Sequence, residues 1–217
     1  MKREVIKMDF SNIHYVGDVS KYVEAEDDPN VAISLYKDLE YFEDAKVYSQ
    51  FVKKCETKVR TSPDYKIYIG YIKGIIGINF CQACPNIYDT DATVELHHGP
   101  IFTLYDIVSV ILNNKLRTGQ KISTAKMVNS VIQEHFDLHV QTVMLATTNH
   151  EAAHNRDLFL HVNQGFGNLN EFIEIYQNDL EDIHKYKIWH YINMCKSNPS
   201  FDRGYLDIDH ISKIVKL

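Results

Sequence analysis

Two stretches carry side chains whose types and spacing suit metal chemistry. The first, Val94-Glu95-Leu96-His97-His98-Gly99-Pro100, sets two adjacent imidazoles before a Gly-Pro stop. The second, Thr147-Thr148-Asn149-His150-Glu151-Ala152-Ala153-His154, sets histidines at i and i+4, which share one face of a helix. Neutral imidazole ligates first-row divalent ions, and near pH 7 it also accepts protons. Two such pairs can hold one ion and keep one further imidazole beside it as a base for water. One divalent metal ion is therefore expected, with zinc, nickel, manganese and magnesium all open.

Those residues need a strand end and a helix start to bring them together. Thr93, Val94 and Leu96 have strand character, and Val140 to Ala146 reads as a second strand through Val143, Met144 and Leu145. Thr147, Thr148 and Asn149 are all good N-cap residues, so a helix is expected to begin almost at His150 and to run to about Phe159. Between the strands lie two amphipathic segments. One starts at Thr103 as cap and closes at Gly119; the other starts at Ser123, with Met127, Val128, Val131 and Ile132 facing inward. The second also carries His135 and His139 at i and i+4, placed at a helix end where imidazolium is favoured by the dipole.

The flanks read as helical. Leu35, Leu39, Phe42, Ala45, Val52 and Cys55 recur at helical spacing from about Val31 to Arg60, and Thr61-Ser62-Pro63 ends that segment. Tyr65 to Phe80 is divided between a helix and a strand pair, with helix favoured before Gly74. A long helix is expected from Leu169 to about Met194, with Phe172, Ile173, Tyr176, Leu180, Ile183, Ile188, Trp189 and Ile192 covering one broad core-facing side. The acidic run Glu24–Asn30 reads as a solvated loop, and Asn198 to Leu217 as a connection with one short helix.

With 217 residues and a formal net charge of -6, the chain can bury one core and lacks the broad basic surface of a general nucleic-acid binder. Its start, Met1-Lys2-Arg3-Glu4, is charged and no apolar run follows, so neither a signal peptide nor a membrane span is expected. Four scattered cysteines do not make a disulfide framework, which suits a reducing cytosol. Cys81-Gln82-Ala83-Cys84 looks like half of a zinc ribbon without its second half, and reads as two ordinary thiols near a turn.

Glu95-Leu96-His97-His98, the Gly-Pro turn, the strand Val143-Met144-Leu145 and the helix with His150 and His154 together resemble the ββα-metal nucleases of the HNH superfamily. The likeness is close to the colicin-type DNases, which show Glu-Leu-His-His on a first strand and His-x-x-x-His at a helix start. The sequence is also similar to a divergent group of bacteriophage proteins in which the Gly-Pro is followed by Thr-Leu-Tyr-Asp-Ile, here Thr103–Ile107. This resemblance implies metal-dependent endonucleolytic cleavage of DNA. His97, His150 and His154 would hold the metal, His98 would be the general base, and Glu95 would support the site from behind. The implied fold is a mostly helical α+β single domain spanning 1–217. A helical region at 1–85 precedes a ββα-metal core at 86–165, with a helical insertion at 101–140, and a second helical region follows at 166–217. Gln141 falls nearest to the Asn that braces the family's loop. DNA is the implied partner, with Arg156, Lys115, Arg117, Lys121 and Lys126 as candidate phosphate contacts. The implied location is the cytoplasm of a phage-infected bacterium, without membrane association; protein partners and oligomeric state stay open.

Two other functions share these histidines. His150-Glu151-Ala152-Ala153-His154 matches the zinc metallopeptidase pattern, with Glu151 as base and Glu171 or Glu174 as a third ligand. A metal-binding fold serving as a non-catalytic binding or assembly protein is the remaining alternative.

Overall fold

Among the described residues, seven α-helices and a two-stranded antiparallel sheet form a mostly helical α+β architecture. The computed structural model describes residues 36–198 and Ile211; the acidic run and nearly all of the tail lie outside the described residues. Helix α1 spans Ala45–Thr61 and starts there because the Asp44 carboxylate accepts from the backbone N–H groups of Lys46 and Val47 at 2.8 and 3.0 Å. It thus begins later than the apolar spacing suggests, after a short 3-10 turn at Glu40–Phe42. Ser62 ends α1 and caps α2, Pro63–Gly74, with Pro63 in its first turn, where no N–H is needed. The Tyr65 segment is therefore helical, as favoured.

Strands β1, Val94–His98, and β2, Thr142–Ala146, pair with Glu95 opposite Leu145, His97 opposite Val143 and His98 opposite Thr142. Between them lie α3, Leu104–Arg117, and α4, Thr124–Phe136. Thr103 and Asp106 form a reciprocal capping box for α3, and the Ser123 hydroxyl accepts from the N–H of Lys126 to start α4. Helix α5, Thr147–Asn155, follows β2 without a linker. It begins earlier than the three N-cap residues imply, because none of them caps it. Thr147 instead donates its N–H and hydroxyl to the Thr93 carbonyl at 3.1 and 3.3 Å, extending the strand pairing. It also stops at Asn155, short of Phe159, where Arg156 turns into the left-handed region at φ 67°.

The expected long C-terminal helix is two helices, α6 at Leu169–Tyr176 and α7 at Asp182–Ser197. The interruption is anchored from outside: the Asp179 carboxylate takes Arg117 Nε at 2.6 Å, Arg117 Nη2 at 3.1 Å and Asn114 Nδ2 at 2.8 Å. Leu180 is then extended, and Glu181 pairs reciprocally with His184 to open α7. The break changes the phase of the apolar stripe. Phe172, Ile173, Tyr176, Leu180, Ile188 and Ile192 are buried, but Ile183 and Trp189, expected on the covered side, are exposed.

The sheet divides two apolar clusters. Val94, Leu96 and Met144 belong to the main core shared with α1–α4, while Val143, Leu145 and Ala146 join Cys81 and Leu160 in a small second cluster. Behind β2, Phe166 exchanges two backbone hydrogen bonds with Thr142. Gly167, at φ +117°, packs so closely that a Cβ there would lie 2.2 Å from the Val140 carbonyl oxygen. No helix among the described residues is long and apolar enough to cross a membrane.

Candidate metal centre

Strand alternation sorts the first stretch. Val94, Leu96 and His98 face the main core, and Glu95 and His97 face the other side of β1, where α5 lies. One turn of α5 separates His150 from His154, so both rings project from one face toward His97. The ligand atoms of His97, His150 and His154 all lie within 4.8 Å of one another. Ring centroids are 5.2 Å apart for His97 and His150, 4.9 Å for His97 and His154, and 4.6 Å for His150 and His154.

The polar contacts define which nitrogens are available. Glu95 Oε2 accepts from His150 Nδ1 at 2.6 Å, which orients the ring and turns its Nε2 toward the other histidines. That Nε2 is 3.1 Å from His154 Nε2. His97 Nδ1 is buried without a hydrogen-bond partner, and Gly99 allows the opposite edge of the ring its space, since a Cβ there would meet His97 Nε2 at 3.0 Å. Burial, then His150, His154 and Arg60, push His97 down to about 4, and burial with His150 and Arg60 also lowers His154. The His97 and His154 rings are therefore held toward the neutral form, the state that coordinates a cation. A half-buried carboxylate orienting one of three convergent imidazoles fits a divalent metal. The all-nitrogen donor set suits zinc or nickel better than magnesium, which prefers oxygen.

The proposed base, His98, occupies the opposite face and is 5% exposed. Its Nε2 lies 2.9 Å from His135 Nε2, and its ring stacks on Tyr65 at 5.8 Å. His135 Nδ1 donates to the Val131 carbonyl at 2.6 Å, so His135 Nε2 accepts and His98 Nε2 carries the proton. His98 Nδ1 is then a free lone pair, buried and unpartnered. Burial and His135 hold His98 well below the ordinary imidazole range, and His97 and His150 are near enough to add to the effect. The structure thus does not bring His98 into the ligand set; it stands behind it. His139 is engaged with Glu134 at 2.8 Å and is no part of the set either.

Gln141 is buried and braces the site's flank: its side-chain Nε2 donates to the Val162 carbonyl at 2.7 Å, and its backbone carbonyl accepts from the Gly99 N–H. Glu151 is exposed on α5. Glu171, expected as a third ligand in a peptidase arrangement, instead interacts with Asn168 and His139. The third imidazole comes from β1.

The candidate phosphate contacts separate. Arg156 caps the C-terminus of α5, just past His154. Lys115, Arg117, Lys121 and Lys126 gather at the far end of the insertion, where Lys121 and Lys126 each lie 4.9 Å from the Tyr36 ring centroid and Lys115 meets Gln120. Along α4, Lys126 is about 13 Å of helix rise from His135, which touches His98. Arg117 is committed to Asp179. The cation that acts on the histidines is Arg60 at the end of α1, which lowers His97, His98, His135 and His154. Nothing near those histidines in sequence announces Arg60; only the packing of α1 brings it there.

A family model described as Bacteriophage G278-like virion protein matches residues 3–216. No curated protein matches, and no solved structure does.

Proposed function

The chain belongs to the bacteriophage G278-like virion protein family, and for this member we propose a single-metal phosphodiesterase centre that cleaves DNA. The observation that carries the proposal is the convergence of His97, His150 and His154 with Glu95 bound to His150. A divalent ion bound there would neutralise a scissile phosphate and stabilise the departing 3′ oxygen. His97, His150 and His154 would hold it, and Glu95 would keep His150 Nε2 directed at the site. Arg60, which lowers His97, His98 and His154 and also pairs with Glu56 at 3.0 Å, and Arg156 would attract the phosphate. His98 is the proposed proton acceptor because His135 fixes its tautomer and leaves Nδ1 without a partner. That role requires water to reach Nδ1 when substrate binds.

A second reading has its own observation. His98 is buried against Tyr65 and His135, and the chain is acidic, which favours a metal-stapled, non-catalytic component of a virion.

Incubation of the full chain with supercoiled plasmid and Zn²⁺, Ni²⁺, Mn²⁺ or Mg²⁺, at low and moderate salt, separates the two. Nicking by the wild type, lost in both His150→Ala and His98→Ala while His98→Ala still binds metal, supports the nuclease. Nicking that survives His98→Ala removes the base assignment alone. No nicking above the His150→Ala background with any metal, together with undetectable DNA binding at low salt, leaves the non-catalytic reading.

A further inference from the structure

Cys81 and Cys84 lie apart from the histidines and are not used by the proposed chemistry. The Cys84 N–H donates to the Cys81 carbonyl at 3.1 Å, so the two residues are the ends of one tight turn. Such a turn holds its terminal Cα atoms within about 7 Å, overlapping the range a disulfide spans. A second observation brings the sulfurs themselves together: Asn149 Nδ2 is 3.1 Å from Cys81 Sγ and 3.3 Å from Cys84 Sγ. The turn is clamped on both sides. Cys81 N–H donates to the Ile87 carbonyl, Ile87 N–H returns to the Cys84 carbonyl, and Gln82 pairs with Met144 of β2 through backbone and side chain. Cys84 is exposed, whereas Cys81 is buried in the second apolar cluster.

We propose that Cys81 and Cys84 are a reversible dithiol–disulfide site that exchanges with small or protein disulfides. The difference in exposure orders the steps. The Cys84 thiolate attacks one sulfur of an incoming disulfide, forming a mixed disulfide and releasing the first thiol of the reagent. The Cys81 thiolate then attacks Cys84 Sγ, closing the internal disulfide and releasing the second thiol. Two protein thiols are oxidised, one reagent disulfide is reduced to two thiols, and the two protein thiol protons are carried by the products or buffer. Burial pushes the Cys81 thiol up, but N–H groups of Ala146, Cys84 and Ala83 and the Asn149 amide outweigh it and leave it below its ordinary value. Cys55 and Cys195 offer no competing pair: both are buried, and burial raises both. The site sits on the first turn of α5, one residue before His150, so closing the disulfide withdraws the acceptors that hold Asn149 there.

The test exposes the reduced full chain to oxidised glutathione, quenches with acid, unfolds and alkylates it, and reads intact mass and peptide maps over time. Wild type should lose two alkylatable thiols and yield a Cys81–Cys84 linked peptide that dithiothreitol reverses. Cys81→Ser should accumulate glutathione on Cys84, because the resolving thiol is gone, and Cys84→Ser should react at least ten-fold more slowly than wild type. Two results overturn the proposal. One is a wild-type chain that stops as a glutathione adduct on Cys84 with Cys81 still alkylatable. The other is a wild-type chain that keeps all four thiols while a free model thiol in the same tube is consumed. Neither readout depends on metal or nuclease activity.

Discussion

Acid should destabilise this protein steeply, and His135 is where the effect can be isolated. His135 is fully buried, with Nδ1 bound to the Val131 carbonyl, Nε2 to His98 and its ring edge-on to Tyr65 and Tyr68. Burial lowers its folded-state value from 6.5 to about 4, against smaller raising effects of the Val131 hydrogen bond and Glu134. The unfolded chain therefore binds the proton first. Stability from this group is complete above about pH 6.5 and is lost as pH falls through the window down to about 4. At pH 5 the difference is about 1.5 pH units of linkage, or about 2 kcal/mol, rising to about 3 kcal/mol at pH 4. The assay is urea unfolding followed by far-ultraviolet circular dichroism at pH 7.5 and pH 5, for wild type and His135→Phe. Phe keeps an aromatic ring against Tyr65 and Tyr68 and cannot titrate. The variant will be less stable at both pH values because it leaves the His98 N–H without a partner and removes the second hydrogen bond to the Val131 carbonyl, so the comparison is the loss between the two pH values. Wild type should lose about 2 kcal/mol more than the variant over that interval. Parallel losses in the two proteins would refute the argument and mean that His135 is protonated, or water-accessible, in the folded state.

Three further outcomes follow from the geometry. Zinc at about a hundred-fold over its dissociation constant should stabilise the wild type by about 2.7 kcal/mol, raising Tm by about 5–10 °C in differential scanning fluorimetry. His150→Ala should abolish that shift, and Glu95→Gln should weaken zinc affinity about 10–100-fold, measured by titration calorimetry. Gly167→Ala should cost about 3 kcal/mol in denaturant unfolding, because φ is +117° and the new Cβ would collide with the Val140 carbonyl; a neutral result would mean that the Val140–Gly167 contact opens freely. Arg117→Ala should lower the urea unfolding midpoint while leaving DNA retention at low salt unchanged, since the guanidinium serves Asp179, whose side chain is 1% exposed. Loss of DNA retention at unchanged stability would return Arg117 to the phosphate-contact set.

Residue order alone made much of the site's framework legible. The i,i+4 spacing of His150 and His154, the strand character before His97, and the caps Thr103 and Ser123 are local signals, and each acts within one turn or one strand. The two-helix insertion and the helical character of the flanks follow from the same local rules. What local rules missed was set by distant partners. Thr147 donates to the Thr93 carbonyl and does not accept from the helix as a cap, so α5 starts early. Asp179, gripped by Arg117 and Asn114, splits one expected helix into two and turns Trp189 outward. The faces of β1 explain why His98 stands apart from the ligand set. Adjacent strand residues point to opposite sides, so His97 and His98 cannot both face α5. Which of them faces the core is decided by Tyr65 and His135, brought there from α2 and α4 by the packing of the main core. Arg60 entered the site the same way, carried by a helix end that neighbours the histidines only in space.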